Sequence, residues 1–135
     1  LWPRGWSMSL RSPLRRVTYL GSAGNGSGHW YAQRVSAVAL VLLGLWFIFA
    51  LVTLGGATHQ NVVAWLSSPV SAALAVLLVL TAAWHALLGL QVVIEDYVGD
   101  KGTRVAVLLV VKFAFAVAAV IGVLAVLRIA SGVAA

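Results

Sequence analysis

Cysteine is absent from this chain. Its absence excludes a thiolate-held iron–sulfur cluster, a thioether-linked haem and any disulfide within the chain. Acids are scarce: Glu95, Asp96 and Asp100 are the only three, and they form one short cluster. No glycine-rich dinucleotide fingerprint occurs. Charge is also missing from long stretches. Residues 35–54 carry none, residues 70–94 are interrupted only by His85 and a few small polar residues, and residues 105–127 hold Lys112 as their sole charge.

What is present is apolar. Hydrophobic residues make up 62% of a chain of 135, more than a soluble domain of this size can bury, so the solvent is lipid. A hydrocarbon core of about 30 Å needs a helix of about 20 residues. The three apolar stretches therefore predict transmembrane helices over about 33–55, 69–97 and 103–130. The expected fold is an all-α membrane protein, with residues 29–135 forming a three-helix membrane anchor domain behind a basic, flexible arm over residues 1–28.

The net charge of +6 raises nucleic acid as a partner, but the bases do not form a patch between stacking aromatics. They gather at membrane boundaries instead. Arg4, Arg11, Arg15, Arg16 and Arg34 precede the first span, and Lys101 and Arg104 lie between the second and third. Residues 55–69 contain neither Lys nor Arg. The positive-inside rule then predicts a cytoplasmic N-terminus, with the Asp96-Tyr97 end of the second helix on the same side. Arg15-Arg16 suggests a twin-arginine signal, yet no short apolar region or cleavage site follows it. The arm is expected to lie against anionic headgroups or a soluble partner. Met8 opens a more natural start than Leu1.

Small residues suggest packing faces. Ala114, Ala118 and Gly122 recur every four residues on the third span, as helix–helix contacts in lipid favour. Ala82, Ala86 and Gly89 surround His85 on the second. That smallness serves either helix packing or the close approach of a flat macrocycle. Trp30, Tyr31, Trp65 and Tyr97 sit near predicted boundaries, as an aromatic belt does. Lys112 reads as a snorkelling base. Glu95 and Asp100 read as loop charges.

Of three histidines, only His85 lies well inside a span; His29 precedes the first helix and His59 is in the first loop. An ionisable group in a membrane marks a functional site by default. The plain alternative is an imidazole bonded to a carbonyl or hydroxyl on a neighbouring helix. Zinc is a poor occupant because its sites want three or four protein ligands. Haem iron needs one or two axial imidazoles. A six-coordinate haem would take its second ligand from a partner chain, since no other histidine here lies at that depth. Asp96 stands eleven residues after His85, nearly on the same helix face and about 16 Å along the axis. One face thus offers a buried ligand and a polar group at the water boundary.

The run His85-x3-Gly89-x-Gln91-Val92, continuing to Asp96-Tyr97-Val98, resembles the D-type hydrophobic membrane anchor of succinate dehydrogenase, the small cytochrome b subunit of complex II. Arg34-Val35-Ser36-Ala37-Val38 fits the arginine before that family's first helix, and the likeness in architecture covers about residues 29–130. The resemblance implies that His85 is an axial ligand of haem b, shared with a histidine of a C-type cytochrome b anchor subunit in a heteromeric helix bundle. It implies that Tyr97 hydrogen-bonds a ubiquinone carbonyl, with Asp96 as its acidic neighbour. Arg34 and His29 match residues at the haem propionates. The implied role is that of an anchor in a bacterial inner membrane, rather than a mitochondrial one, which docks the flavoprotein and iron–sulfur subunits of succinate:ubiquinone oxidoreductase. Without cysteine or a dinucleotide fingerprint, the chain is not expected to oxidise succinate alone. The alternatives are the anchor of a quinol:fumarate reductase, or a non-redox scaffold or small transporter in which His85 packs or relays protons.

Overall fold

The computed structural model of the chain describes residues 21–133. Arg4, Arg11, Arg15, Arg16 and the candidate start at Met8 lie outside the described residues. The chain divides into two compact units, residues 1–32 and residues 33–135.

Among the described residues the architecture is all-helical, with α1 at Gly21–Thr53, α2 at His59–Leu66, α3 at Pro69–Tyr97 and α4 at Lys101–Ala130. Three apolar segments are long enough to cross a membrane: Ser27–Thr53, Pro69–Tyr97 and Lys101–Ala130. Their surfaces suit a hydrocarbon solvent. On α4, Val110 is 69% and Phe113 73% exposed, and no residue of that helix is buried. Apolar groups on this scale would be untenable in water.

Helix α1 begins at Gly21, although the glycines of residues 21–28 suggest a flexible link. Each glycine costs about 1 kcal/mol against alanine, but lengthening a helix already formed by an apolar span needs no new nucleus. The far end of α1 closes through Thr53, whose Oγ1 donates to the carbonyls of Phe49 and Ala50, both at 3.0 Å. Gly55 and Gly56 then turn the chain with φ of 66° and 129°, a conformation that side chains other than glycine rarely take.

The first connection contains a helix that hydropathy does not reveal. Thr58 caps α2 by accepting the Asn61 N–H at 3.3 Å. The Asn61 side-chain amide donates to the carbonyls of Leu54 and Gly56, each at 3.1 Å, which ties α2 to the end of α1. Trp65 completes the join, with its ring 5.4 Å from that of Trp46 and 6.0 Å from that of Phe47. Helix α3 follows at once, with Pro69 in its first turn, where a missing N–H costs nothing.

The buried line on α1 is Ser36, Leu43 and Ala50, a seven-residue repeat that keeps one edge of the helix inward. Helices α3 and α4 pack tightly at Gly122, where an added Cβ would stand 2.8 Å from Val79 Cγ1. The contact stripe of α4 is rotated from the one that small residues suggest. Ala114 and Ala118 are exposed, and the half-buried edge runs through Val111, Phe115, Ala119, Gly122 and Val126. Seven-residue geometry, rather than residue size, selects the face.

Candidate functional site

Ser36 brings a hydroxyl to the inner edge of α1 and is only 6% exposed. Its Oγ stands 2.9 Å from Nδ1 of His85 on α3. The same oxygen donates to the Gln33 carbonyl at 3.1 Å. A hydroxyl has one proton. If the proton goes to the ring, Nδ1 is the acceptor; given instead to Gln33, it leaves Ser36 to accept from His85, and Nδ1 carries the imidazole hydrogen. Nε2 is then the lone-pair nitrogen. The ring itself is half-buried.

Gln33 adds a second polar group beside the imidazole. A Cβ at Gly89, one turn beyond His85, would lie 3.7 Å from the Gln33 Nε2. Gly89 therefore keeps the backbone of α3 open at a position where Gln33 approaches. The Oε1 of Gln33 is buried and has no hydrogen-bond partner. Leaving such an acceptor unpaired costs about 1–3 kcal/mol, so this polar patch is incomplete within the described residues. Sequence reading did not single out Gln33 or, beyond its place in a motif, Ser36. The available signal was a hydroxyl and an amide three residues apart at the head of an otherwise apolar helix.

The other expected site residues are distributed. Asp96 and Tyr97 end α3 fully on its exposed surface, with Tyr97 85% exposed. Tyr97 is about 18 Å from His85 by helix rise. Glu95 is engaged locally, accepting from the Gln91 side-chain amide at 2.8 Å. Arg34 lines an open apolar groove with Val35, Val38, Ala39 and Leu42. It stands two residues before Ser36, about 160° around the helix from the buried line. His29 belongs to the first unit, where its Nε2 is buried and unpaired. Lys112 is exposed at the edge of a cavity of about 230 Å³ between α3 and α4 that Trp84 and Phe115 also line.

The turn after Tyr97 is held from both sides. Arg104 Nε donates to the Val98 carbonyl at 2.8 Å. Asp100 caps α4 by accepting the Thr103 N–H and hydroxyl, both at 2.8 Å. Those bonds hold its carboxyl below the ordinary value of 3.8, the backbone bond contributing most. Asp100 is thus a helix cap rather than a solvated loop charge. The Asp-x-x-Thr spacing before an apolar run is its sequence signature.

Among the described residues, three helices long and apolar enough to cross a membrane, with His85 bonded to a hydroxyl on the first of them, are those of a multi-pass membrane protein. More specifically, the chain belongs to the succinate dehydrogenase/fumarate reductase transmembrane subunit family, which it matches over residues 8–124. It is 36% identical over 105 residues to the succinate dehydrogenase hydrophobic membrane anchor subunit of Rickettsia bellii, spanning 76% of this chain and 82% of that protein. The subunit of the same description from Paracoccus denitrificans is 31% identical over 112 residues, spanning 83% of this chain and 87% of its own length. That from Rickettsia conorii is 33% identical, spanning 76% and 82%. No solved structure matches.

Proposed function

We propose that this chain is the membrane anchor subunit of a bacterial succinate:ubiquinone oxidoreductase, with His85 as an axial ligand of a haem b shared with a C-type cytochrome b anchor subunit. The observation that carries the reading is the Gln33–Ser36–His85 relay, which occupies Nδ1 and leaves Nε2 for iron. The residues fit the group. A metal-bound histidine commonly donates its other N–H to an oxygen, and Ser36 Oγ stands 2.9 Å from Nδ1 of His85. When bound, haem b supplies a one-electron redox centre.

The chain's own residues then have separate tasks. His85 would hold the iron through Nε2. Tyr97, exposed at the end of α3, donates its phenol hydrogen to a ubiquinone carbonyl and stabilises charge that develops there on reduction. Asp96 beside it accepts and passes protons between that site and water. Arg34 offers a cation to a haem propionate, and His29 a second contact on sequence grounds. Arg34, Lys101 and Arg104 mark the cytoplasmic end, opposite a loop without bases. On that side the chain docks the iron–sulfur and flavoprotein subunits, in the bacterial inner membrane.

The family description includes fumarate reductases, so a quinol:fumarate reductase anchor is a second reading. The relatives described above are succinate dehydrogenase subunits, which favours succinate oxidation and disfavours a scaffold or transporter. Affinity purification of the tagged chain from its native membrane tests the proposal. The expected preparation contains the three partner subunits, a haem b spectrum and succinate:quinone activity. A chain that purifies without haem and without those subunits would overturn it.

A further inference from the structure

We propose that Ser36 is the positioning residue for His85, fixing which imidazole nitrogen faces the iron and how strongly it donates. The inference rests on the haem reading above and goes beyond it, because it assigns the control of the ligand to the other helix of this chain.

Ser36 is 6% exposed and lies on the inner line of α1 with Leu43 and Ala50, so water does not compete for its hydroxyl. Its Oγ has two partners, the Gln33 carbonyl at 3.1 Å and His85 Nδ1 at 2.9 Å. A carbonyl can only accept. With the hydroxyl donating backwards along α1, Oγ accepts from the ring, giving a directional chain from Nδ1–H through Oγ–H to the Gln33 oxygen. Bonds linked in this way polarise one another in a low-dielectric interior. Each one strengthens the next.

Two consequences follow. First, the ring is locked in the tautomer whose Nε2 is free to ligate, and its rotation about the Cβ–Cγ bond is restrained across the α1–α3 contact. Second, pulling on Nδ1–H makes Nε2 a stronger donor to iron. A stronger donor favours the ferric over the ferrous state and lowers the midpoint potential. Ser36 would thus set the potential of the centre without touching it. Gln33 contributes through its backbone oxygen, so its side chain remains available for another contact.

The test uses the complete complex, co-purified with its partner subunits, in three forms: Ser36→Ala, Ser36→Thr and His85→Ala. Alanine removes the oxygen with little change of volume, and threonine restores an oxygen that also bonds backwards along a helix. Redox titration of the haem spectrum is the readout. Ser36→Ala is expected to shift the ferric/ferrous equilibrium toward ferrous by on the order of tenfold, about 59 mV upward for a one-electron centre. Ser36→Thr is expected to return it toward the native value, and His85→Ala to lack this haem. Loss of haem from Ser36→Ala that Ser36→Thr restores also supports the proposal. A native potential in Ser36→Ala, or a defect that Ser36→Thr does not relieve, overturns the role of Ser36 and leaves the haem reading intact if His85→Ala lacks haem. Haem retained in His85→Ala overturns the haem reading itself.

Discussion

At the end of α3 the phenol of Tyr97 is 85% exposed, without a covering side chain to dictate its direction. A donor placed there is available to a carbonyl that enters from outside the chain. Replacing Tyr97 with Phe removes the donor but keeps the ring. Quinone reduction is expected to fall by roughly 10²-fold, while the haem spectrum stays native because His85 is about 18 Å away. Steady-state assays with a soluble quinone check this, and full turnover would remove Tyr97 from the chemistry. His85 was legible in the sequence because an imidazole within an apolar run is costly and rare. Ser36 was not, since a serine near a helix head is unremarkable until its partner, 49 residues away, is known.

Two elements owe their limits to single residues. Asp100 starts α4, and its lowered carboxyl pKa makes that start sensitive to acid. A carboxylate favoured in the folded state stabilises above its unfolded value of 3.8, and the contribution disappears as pH falls through the lower folded value. Amide exchange at Thr103 is therefore expected to be unchanged at neutral pH and to gain, below about pH 3.8, an increase beyond the intrinsic trend. Asp100→Asn should lack that acid-specific change. The α3–α4 seam depends instead on Gly122. Val79 is β-branched and stiff, so Gly122→Leu should destabilise the seam by about 1–3 kcal/mol, seen as a lower thermal midpoint of the purified complex. Adding Val79→Ala should recover part of the loss, since the two residues share one contact. The three long helices could be read from hydropathy because each exceeds the membrane's width. Short α2 could not, since its cap and its Trp65 contacts with Trp46 and Phe47 depend on the first turn bringing distant residues together.

At the largest scale, the described residues expose apolar helix surface and end their polar patch on a Gln33 oxygen that has no partner among them. Both features fit a chain that completes itself with lipid, a cofactor and other subunits. Membership of the transmembrane subunit family gives that incompleteness a setting. Composition points to the same setting, because 62% of the chain is hydrophobic. The central claim is that this chain contributes one half of a shared haem site through His85. A reduced-minus-oxidised visible spectrum of the purified complex, native against His85→Ala at equal subunit content, tests it most directly. The account predicts a haem b band in the native complex and its loss in the variant, with the partner subunits still attached. An undiminished band in the variant would contradict it.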